Sequence, residues 1–182
     1  MKSVLKEKYS KTVVKEFRDK FGIKNVMAVP RITKVVINAG IGKYIKEKDA
    51  VDEIVESLKV ISAQKPVRTK AKQSISGFKT RQGQEVGVAV TLRGEKMWHF
   101  LERLIYSAFP RVRDFRGIDR KNFDQQGNLN IPMKEQIVFP EIVPENVKNI
   151  FSFQITVVNT AKNREEGLEF SKMMGFPIAT HE

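Results

Sequence analysis

Seven cations and no carboxylate lie between Ser57 and Gln84: Lys59, Lys65, Arg68, Lys70, Lys72, Lys79 and Arg81. Within this stretch Val67-Arg-Thr-Lys-Ala-Lys72 reads as a strand. Side chains alternate along a strand, so Val67, Thr69 and Ala71 share one face, and Arg68, Lys70 and Lys72 the other. Cations at every second position stand about 6.6 Å apart, similar to the phosphate repeat of a nucleic-acid backbone. Engaging successive phosphates gains largely from counterion release. A second strand, Glu85 to Arg93, sets Val86, Val88, Val90 and Leu92 on a core face. Small Gly87, Ala89 and Thr91 take the other, where a nucleic-acid backbone could approach closely, and Asn38 and Thr91 could add directed hydrogen bonds. The competing reading is an ordinary solvated sheet whose lysines keep an edge soluble.

Two further segments carry binding chemistry. The loop Ser74-Ile-Ser76-Gly77-Phe78-Lys79-Thr80-Arg81-Gln-Gly83 joins hydroxyls, an aromatic ring, two cations and two glycines. Such a loop can stack or hydrogen-bond on a nucleic acid; equally, Phe78 could anchor it by packing. The segment from Arg111 to Lys121 includes Arg111, Arg113 and Arg116, whose guanidinium forks suit phosphates or carboxylates. Its Asp114 and Asp119 leave internal ion pairs as an alternative.

Enzyme chemistry finds little support. His99 lies within a predicted helix and His181 is the second of two histidines. Gly40-Ile-Gly42-Lys43 lacks the third glycine of a dinucleotide fingerprint and the spacing of a Walker loop, so it reads as a turn after a strand. Asp49, Asp52, Glu53 and Glu56 fall on one helix and read as its solvated face, with the early members suiting the helix dipole. Without cysteine there are no disulfides, thiol nucleophiles or thiolate metal sites. No cofactor or metal site is expected.

The elements that must position these residues follow from periodicity. Ser3 to Phe21 predicts a helix, with Leu5, Tyr9, Val13 and Phe17 at four-residue spacing and Gly22 as its end. Arg31 to Ala39 alternates as a strand, with Thr33, Val35, Ile37 and Ala39 on one face and Ile32, Lys34, Val36 and Asn38 on the other. Asp49 is the expected N-cap of a helix through Ile61, which Pro66 stops. Gly94 opens a helix that Pro110 is expected to end. Pro110, Pro132, Pro140 and Pro144 punctuate a weakly periodic excursion at about 110–150. A strand from Phe151 to Asn159 and a helix from Asn163 to Met174, closed by Gly175, complete the order. One apolar face per strand predicts an α+β fold of two layers, a mainly antiparallel sheet with helices on one face and an open RNA-binding face. With no internal repeat or linker, 1–182 reads as a single domain.

The chain has 182 residues, 33 Lys and Arg against 21 Asp and Glu, and a net charge of +12. Such a surplus points to nucleic acid or an anionic membrane as partner. It is uneven: residues 1–24 sum to +5, 109–121 to +3 and 122–182 to −3. The longest uncharged stretch, 149–161, has 13 residues, short of the roughly 20 that a membrane span needs. The expectation is a cytosolic protein without a membrane partner. A membrane-surface protein using its basic N-terminal helix and an RNA-modifying enzyme are the rival classes.

The runs QKPVRTKAKQSISGFKTRQG, VTLRGEKMWHFLERLI, FPRVRDFRG and KEQIVFPEI resemble the ribosomal protein family that binds 5S rRNA, protein five of the bacterial large subunit. KVVINAGIG, ITVVNTAKNREEG and MMGFP are similar to it as well, so the resemblance spans nearly the whole chain. It implies a non-catalytic scaffold of the cytoplasmic ribosome, in the central protuberance beside neighbouring proteins there. It implies 5S rRNA contacts at Asn38, Gln64 and Thr91, with Lys34, Lys65, Arg68 and Lys70 as cationic neighbours, and attachment to 23S rRNA. The loop from Ser74 to Gly83 is then expected to face peptidyl-site tRNA. Arg111, Arg113 and Arg116 are expected near a bridge to a protein of the small-subunit head. Ala63 departs from the glycine common before the QKP run, and Asn163 from a common Asp cap.

Overall fold

The structure, a computed structural model, describes residues 3–44, 47–78 and 80–179, the side chains of Phe78 and Asn146 excepted. Lys79, His181 and the ring of Phe78, all weighed above, lie outside the described residues. The fold is α+β, built on a five-stranded antiparallel sheet in the order β2-β3-β1-β5-β4. The strands are β1 Ile32–Gly40, β2 Val67–Lys70, β3 Glu85–Leu92, β4 Leu129–Met133 and β5 Phe153–Asn159. Alternation is as expected from Val35 onward on β1 and from Val88 onward on β3, whereas Ile32, expected on the face of Asn38, is buried and Thr33 half-buried. Val35, Ile37 and Ala39 are buried where Asn38 is exposed, and Val88, Val90 and Leu92 are buried where Thr91 is exposed.

The chain divides into two compact units. The first comprises Met1–Val35, Leu92–Ile131 and Thr156–Glu182. Its N-terminal helix, residues 4–21, is α-helical over Val4–Lys8 and Val14–Phe21, with a π turn, Tyr9–Val13, between them. The π turn explains how four-residue spacing keeps one face. In a straight α-helix Phe17 would stand about 120° around the axis from Leu5. The wider turn absorbs most of that rotation, and Leu5, Val13 and Phe17 are all fully buried. Gly22 closes the helix in the left-handed conformation at φ 64°. The Tyr9 ring lies 5.9 Å from Trp98 and 6.1 Å, edge-on, from Phe170 of the Arg164–Met174 helix.

Pro110 does not end its helix. The helix covers 94–111, as Gly94–Arg103, a π turn Leu104–Ala108 and a final turn Phe109–Arg111. A proline ring normally meets the carbonyl four residues back. Here the π turn widens the backbone just where that clash would fall.

The second unit comprises Val36–Thr91 and Pro132–Ile155. Its helix, Lys48–Ser62, is capped by Glu47 rather than Asp49, which sits in the first turn. Ala50, Val51, Ile54, Leu58 and Ile61 are buried. The helix ends on Ala63 at φ 50° and ψ 32°, a left-handed position that an alanine Cβ makes costly. The carboxylates of this helix are engaged rather than simply solvated: Asp52 pairs with Arg68 and Glu56 with Lys59. Glu53 accepts from the Lys148 and Asn149 amides at 2.8 and 3.3 Å and from Asn149 Nδ2 at 2.8 Å. Burial opposes ionisation of Glu53, but these three hydrogen bonds and the Lys148 charge outweigh it and hold the carboxyl below its ordinary value. Gln136, fully buried, fixes the same region: Nε2 donates to Asn149 O at 2.7 Å and Oε1 accepts from the Phe151 amide at 3.0 Å. The stretch from 110 to 150 thus supplies a sheet strand and the buried Ile118, Phe123, Phe139 and Ile142. On β4, at the sheet edge, Pro132 points to solvent between buried Ile131 and Met133, the placement proline tolerates.

Ala63→Gly removes the Cβ that strains the helix end and is expected to raise the unfolding free energy by about 0.5–1 kcal/mol in a urea titration. A less stable variant would mean that the Ala63 methyl contributes more by packing than the strain costs. Glu53, with its folded pKa lowered, stabilises the fold above the ordinary carboxyl value of 4.5, and that contribution fades as pH falls through the folded value. Stability measured from pH 6 downward is therefore expected to fall less steeply for Glu53→Gln than for the parent below about pH 4.5.

Candidate nucleic-acid interface

In the second unit β2 and β3 pair antiparallel, with Val67 opposite Ala89, Arg68 opposite Val88 and Thr69 opposite Gly87. Opposed residues on neighbouring strands project to the same side of a sheet. Val67 and Thr69 therefore join Gly87 and Ala89 on the open face. A Cβ on Gly87 would stand 2.7 Å from Thr69 Oγ1, 3.3 Å from the Ala39 carbonyl oxygen and 3.8 Å from Asn38 Oδ1. Thr69 and Asn38 thus neighbour Gly87, which is itself buried beneath the Thr69 hydroxyl. Val67 is 66% exposed, and Asn38 on β1 and Thr91 on β3 are exposed as well. Just past the helix end, Gln64 Nε2 donates to the Thr91 carbonyl at 3.2 Å, and the Gln64 amide donates to Ser62 Oγ at 3.3 Å. Lys65 is exposed and makes no ion pair among the described residues. Lys34, half-buried on β1, belongs to the first unit.

The register corrects one expectation. The cationic row of β2 does not lie beside the small-residue row of β3. Arg68 shares its side with the core residue Val88, where Nη1 reaches Glu85 at 3.1 Å and Nη2 reaches Asp52. These two hydrogen-bonded carboxylates raise the guanidinium pKa further and offset its charge. Lys70 follows a register irregularity after Thr69 and pairs with Glu85, so it leaves the simple alternation; Lys72 lies beyond the strand. Thr69 and Val67 are the open-face residues that the cationic pattern concealed. The available signal was the partner strand, because the side of a four-residue strand with no buried member is set by what it pairs with.

Beyond these strands the described residues of the loop form a hairpin extension. Ala71 N–H donates to Gln84 O at 2.8 Å and Gly83 N–H to Ala71 O at 2.9 Å. Ile75 and Thr80 exchange amide–carbonyl bonds at 3.1 and 3.2 Å, and Ser74 Oγ accepts from the Gln82 amide at 2.9 Å. Ser76, Gly77 and Arg81 are exposed and Ile75 is 48% exposed, so the loop presents its tip to solvent. In the first unit Arg111, Arg113 and Arg116 are exposed. Gly42–Tyr44 forms a 3-10 turn after β1, with Tyr44 OH donating to the Ile150 carbonyl at 3.1 Å.

Two family descriptions match the chain: "Ribosomal protein L5" over residues 25–81 and "ribosomal L5P family C-terminus" over residues 85–178. The large ribosomal subunit protein uL5 of Mycoplasma pneumoniae is 48% identical over 174 residues, covering 96% of this chain and 97% of that protein. The chain belongs to the ribosomal protein L5 family. The uL5 of Halothermothrix orenii is likewise similar, at 46% identity over 176 residues, covering 97% and 98% of the two chains. Membership makes the chain a structural, non-enzymatic protein of the large ribosomal subunit, in the cytoplasm, with rRNA-binding and translation as its setting. No helix of the described residues is long and apolar enough to cross a membrane. This L5-family sheet thus exposes Asn38, Thr69 and Thr91 on one face and sets its β2 arginine against acidic neighbours.

Because both partners of Arg68 are substantially exposed, Arg68→Ala is expected to lower stability by less than about 1 kcal/mol in a low-salt denaturation experiment. The difference from the parent is expected to shrink as salt is added. A salt-independent loss of several kcal/mol would mean that the side chain contributes by packing instead.

Proposed function

We propose that this chain ties 5S rRNA into the central protuberance through the open sheet face around Gly87. In this reading Asn38, Thr69 and Thr91 offer hydrogen-bonding groups to riboses or base edges, and the absence of a side chain at Gly87 lets the RNA backbone approach closely. Gln64 holds the rim, Lys65 and Lys70 supply phosphate contacts around it, and Lys34 offers a phosphate contact from the first unit. Arg68 acts from the other side, as a tie between β2, β3 and the Lys48–Ser62 helix. The loop from Ser74 to Gly83, including Phe78, Lys79 and Thr80, faces peptidyl-site tRNA. Arg111, Arg113 and Arg116 face the small-subunit head, and 23S rRNA and other central-protuberance proteins are further partners. The observation that carries the reading is the neutral sheet face on which Asn38, Thr69 and Thr91 are exposed around buried Gly87, in a chain of net charge +12 that belongs to a ribosomal protein family.

Equilibrium binding to 5S rRNA tests it. Gly87→Val crowds the Thr69 hydroxyl and is expected to weaken binding at least tenfold, which corresponds to about 1.4 kcal/mol. Asn38→Ala is expected to cost about 1–3 kcal/mol, the penalty of an RNA group left buried and unpaired. Arg68→Ala is expected to change affinity less than about threefold and to leave the salt slope in place, because its charge is already offset. Loss of binding on Arg68→Ala with parental binding by Gly87→Val would move the contact to the opposite face.

A further inference from the structure

The arginine-bearing segment of the first unit is held from two directions. On its N-terminal side the Phe115 ring stacks on Phe109, centroids 5.1 Å apart and 17° from parallel. Asp114 at φ 54° and Gly117 at φ 101° then turn the chain. On the far side Ile118 forms a parallel bridge with Ile178: its amide donates to Pro177 O at 2.8 Å, and its carbonyl accepts from the Ala179 amide at 3.0 Å. Phe176 is buried and its amide donates to Ser171 O at 3.1 Å, so the bridging segment is itself fastened to the Arg164–Met174 helix. A Cβ on Gly117 would meet Ala179 N at 2.8 Å and Ala179 Cα at 2.9 Å. These are backbone atoms that cannot retreat without parting the bridge.

We propose that residues 176–179 are a strap that positions Arg111, Arg113 and Arg116, with Gly117 as the positioning residue that lets the strap lie flat. This rests on the reading above that these arginines face the small-subunit head. The backbone that carries the arginines is already held by these contacts, so binding loses less conformational freedom than it would from a free loop. The strap comes from a part of the chain about 60 residues away in sequence, which couples the C-terminal helix to the contact.

The test uses large subunits assembled with variant protein and titrated with small subunits by light scattering. Amide hydrogen exchange at Ile118 of the isolated full chain reports on the strap. Gly117→Ala forces the two backbones apart, and Ala179→Pro removes the donor to the Ile118 carbonyl while leaving residue 117 unchanged. Both are expected to speed Ile118 exchange and weaken subunit association roughly threefold to tenfold. The Arg113→Gln/Arg116→Gln pair is expected to weaken association at least as much. Adding Gly117→Ala to that pair is expected to cost no more, because a positioning residue acts only through what it positions. Faster Ile118 exchange with parental association overturns the strap, as does a full additional loss in the combined variant. Parental association by the arginine pair overturns the reading of the arginines themselves, and the strap's role with it.

Discussion

The pairing of Thr69 with Gly87 is the constraint on which the open face depends. Side chains alternate with period two, so a one-residue slip of β2 would send every one of its side chains to the other face. Arg68 would then share the face of Gly87 and Ala89, and Thr69 would be driven toward the core residues of β3. The observed register is stabilised from the side away from the patch. There Arg68 spans carboxylates on β3 and on the Lys48–Ser62 helix. Each exposed pair contributes little alone, but both exist only in this register, so they favour it over the slipped one. A cation in a basic stretch therefore acts as a registration device.

This arrangement separates charge from contact. The acid-free stretch from 57 to 84 carries seven cations, yet the row that its Val67 and Thr69 form with Gly87, Ala89 and Thr91 of β3 is uncharged. In the proposed reading, a neutral patch inside a cationic chain divides the work of recognition. Long-range attraction arises from charges spread over the molecule, whereas discrimination arises where polar groups and a bare backbone can approach closely.

Much of the architecture was legible because local chemistry determined it. Gly22 and Gly175 close their helices in left-handed conformations, and β1 and β3 bury the alternation that their residues display. The misreadings share a cause: they needed information from elsewhere in the chain. Every residue of β2 is exposed, so no buried member marked its inner side, and the cationic face was read in isolation. The segment from 110 to 150 lacks periodicity because it is organised by single non-local bonds, such as those of buried Gln136 to Asn149 and Phe151. Its strand alternates Leu129, Ile131 and Met133 inward, but Pro132 masks the pattern until the strand is seen to be at an edge. The N-cap at Glu47 has no side-chain hydrogen bond, so Asp49, with the better capping chemistry, drew the boundary inward.

The two π turns, Tyr9–Val13 and Leu104–Ala108, bear on how this chain can change length. A π turn houses one residue more than the α-helical turn it replaces while the flanking segments keep their alignment. Each helix therefore holds a spare residue at a defined place. Losing one residue inside either turn would restore an ordinary α-helix locally and leave the other end of the helix in step with its neighbours. Losing one anywhere else in the same helices would rotate half the apolar face out of the interior. Single-residue length variation among homologous chains should accordingly concentrate at these two turns, so that the irregularities act as the seams along which the helices can be shortened.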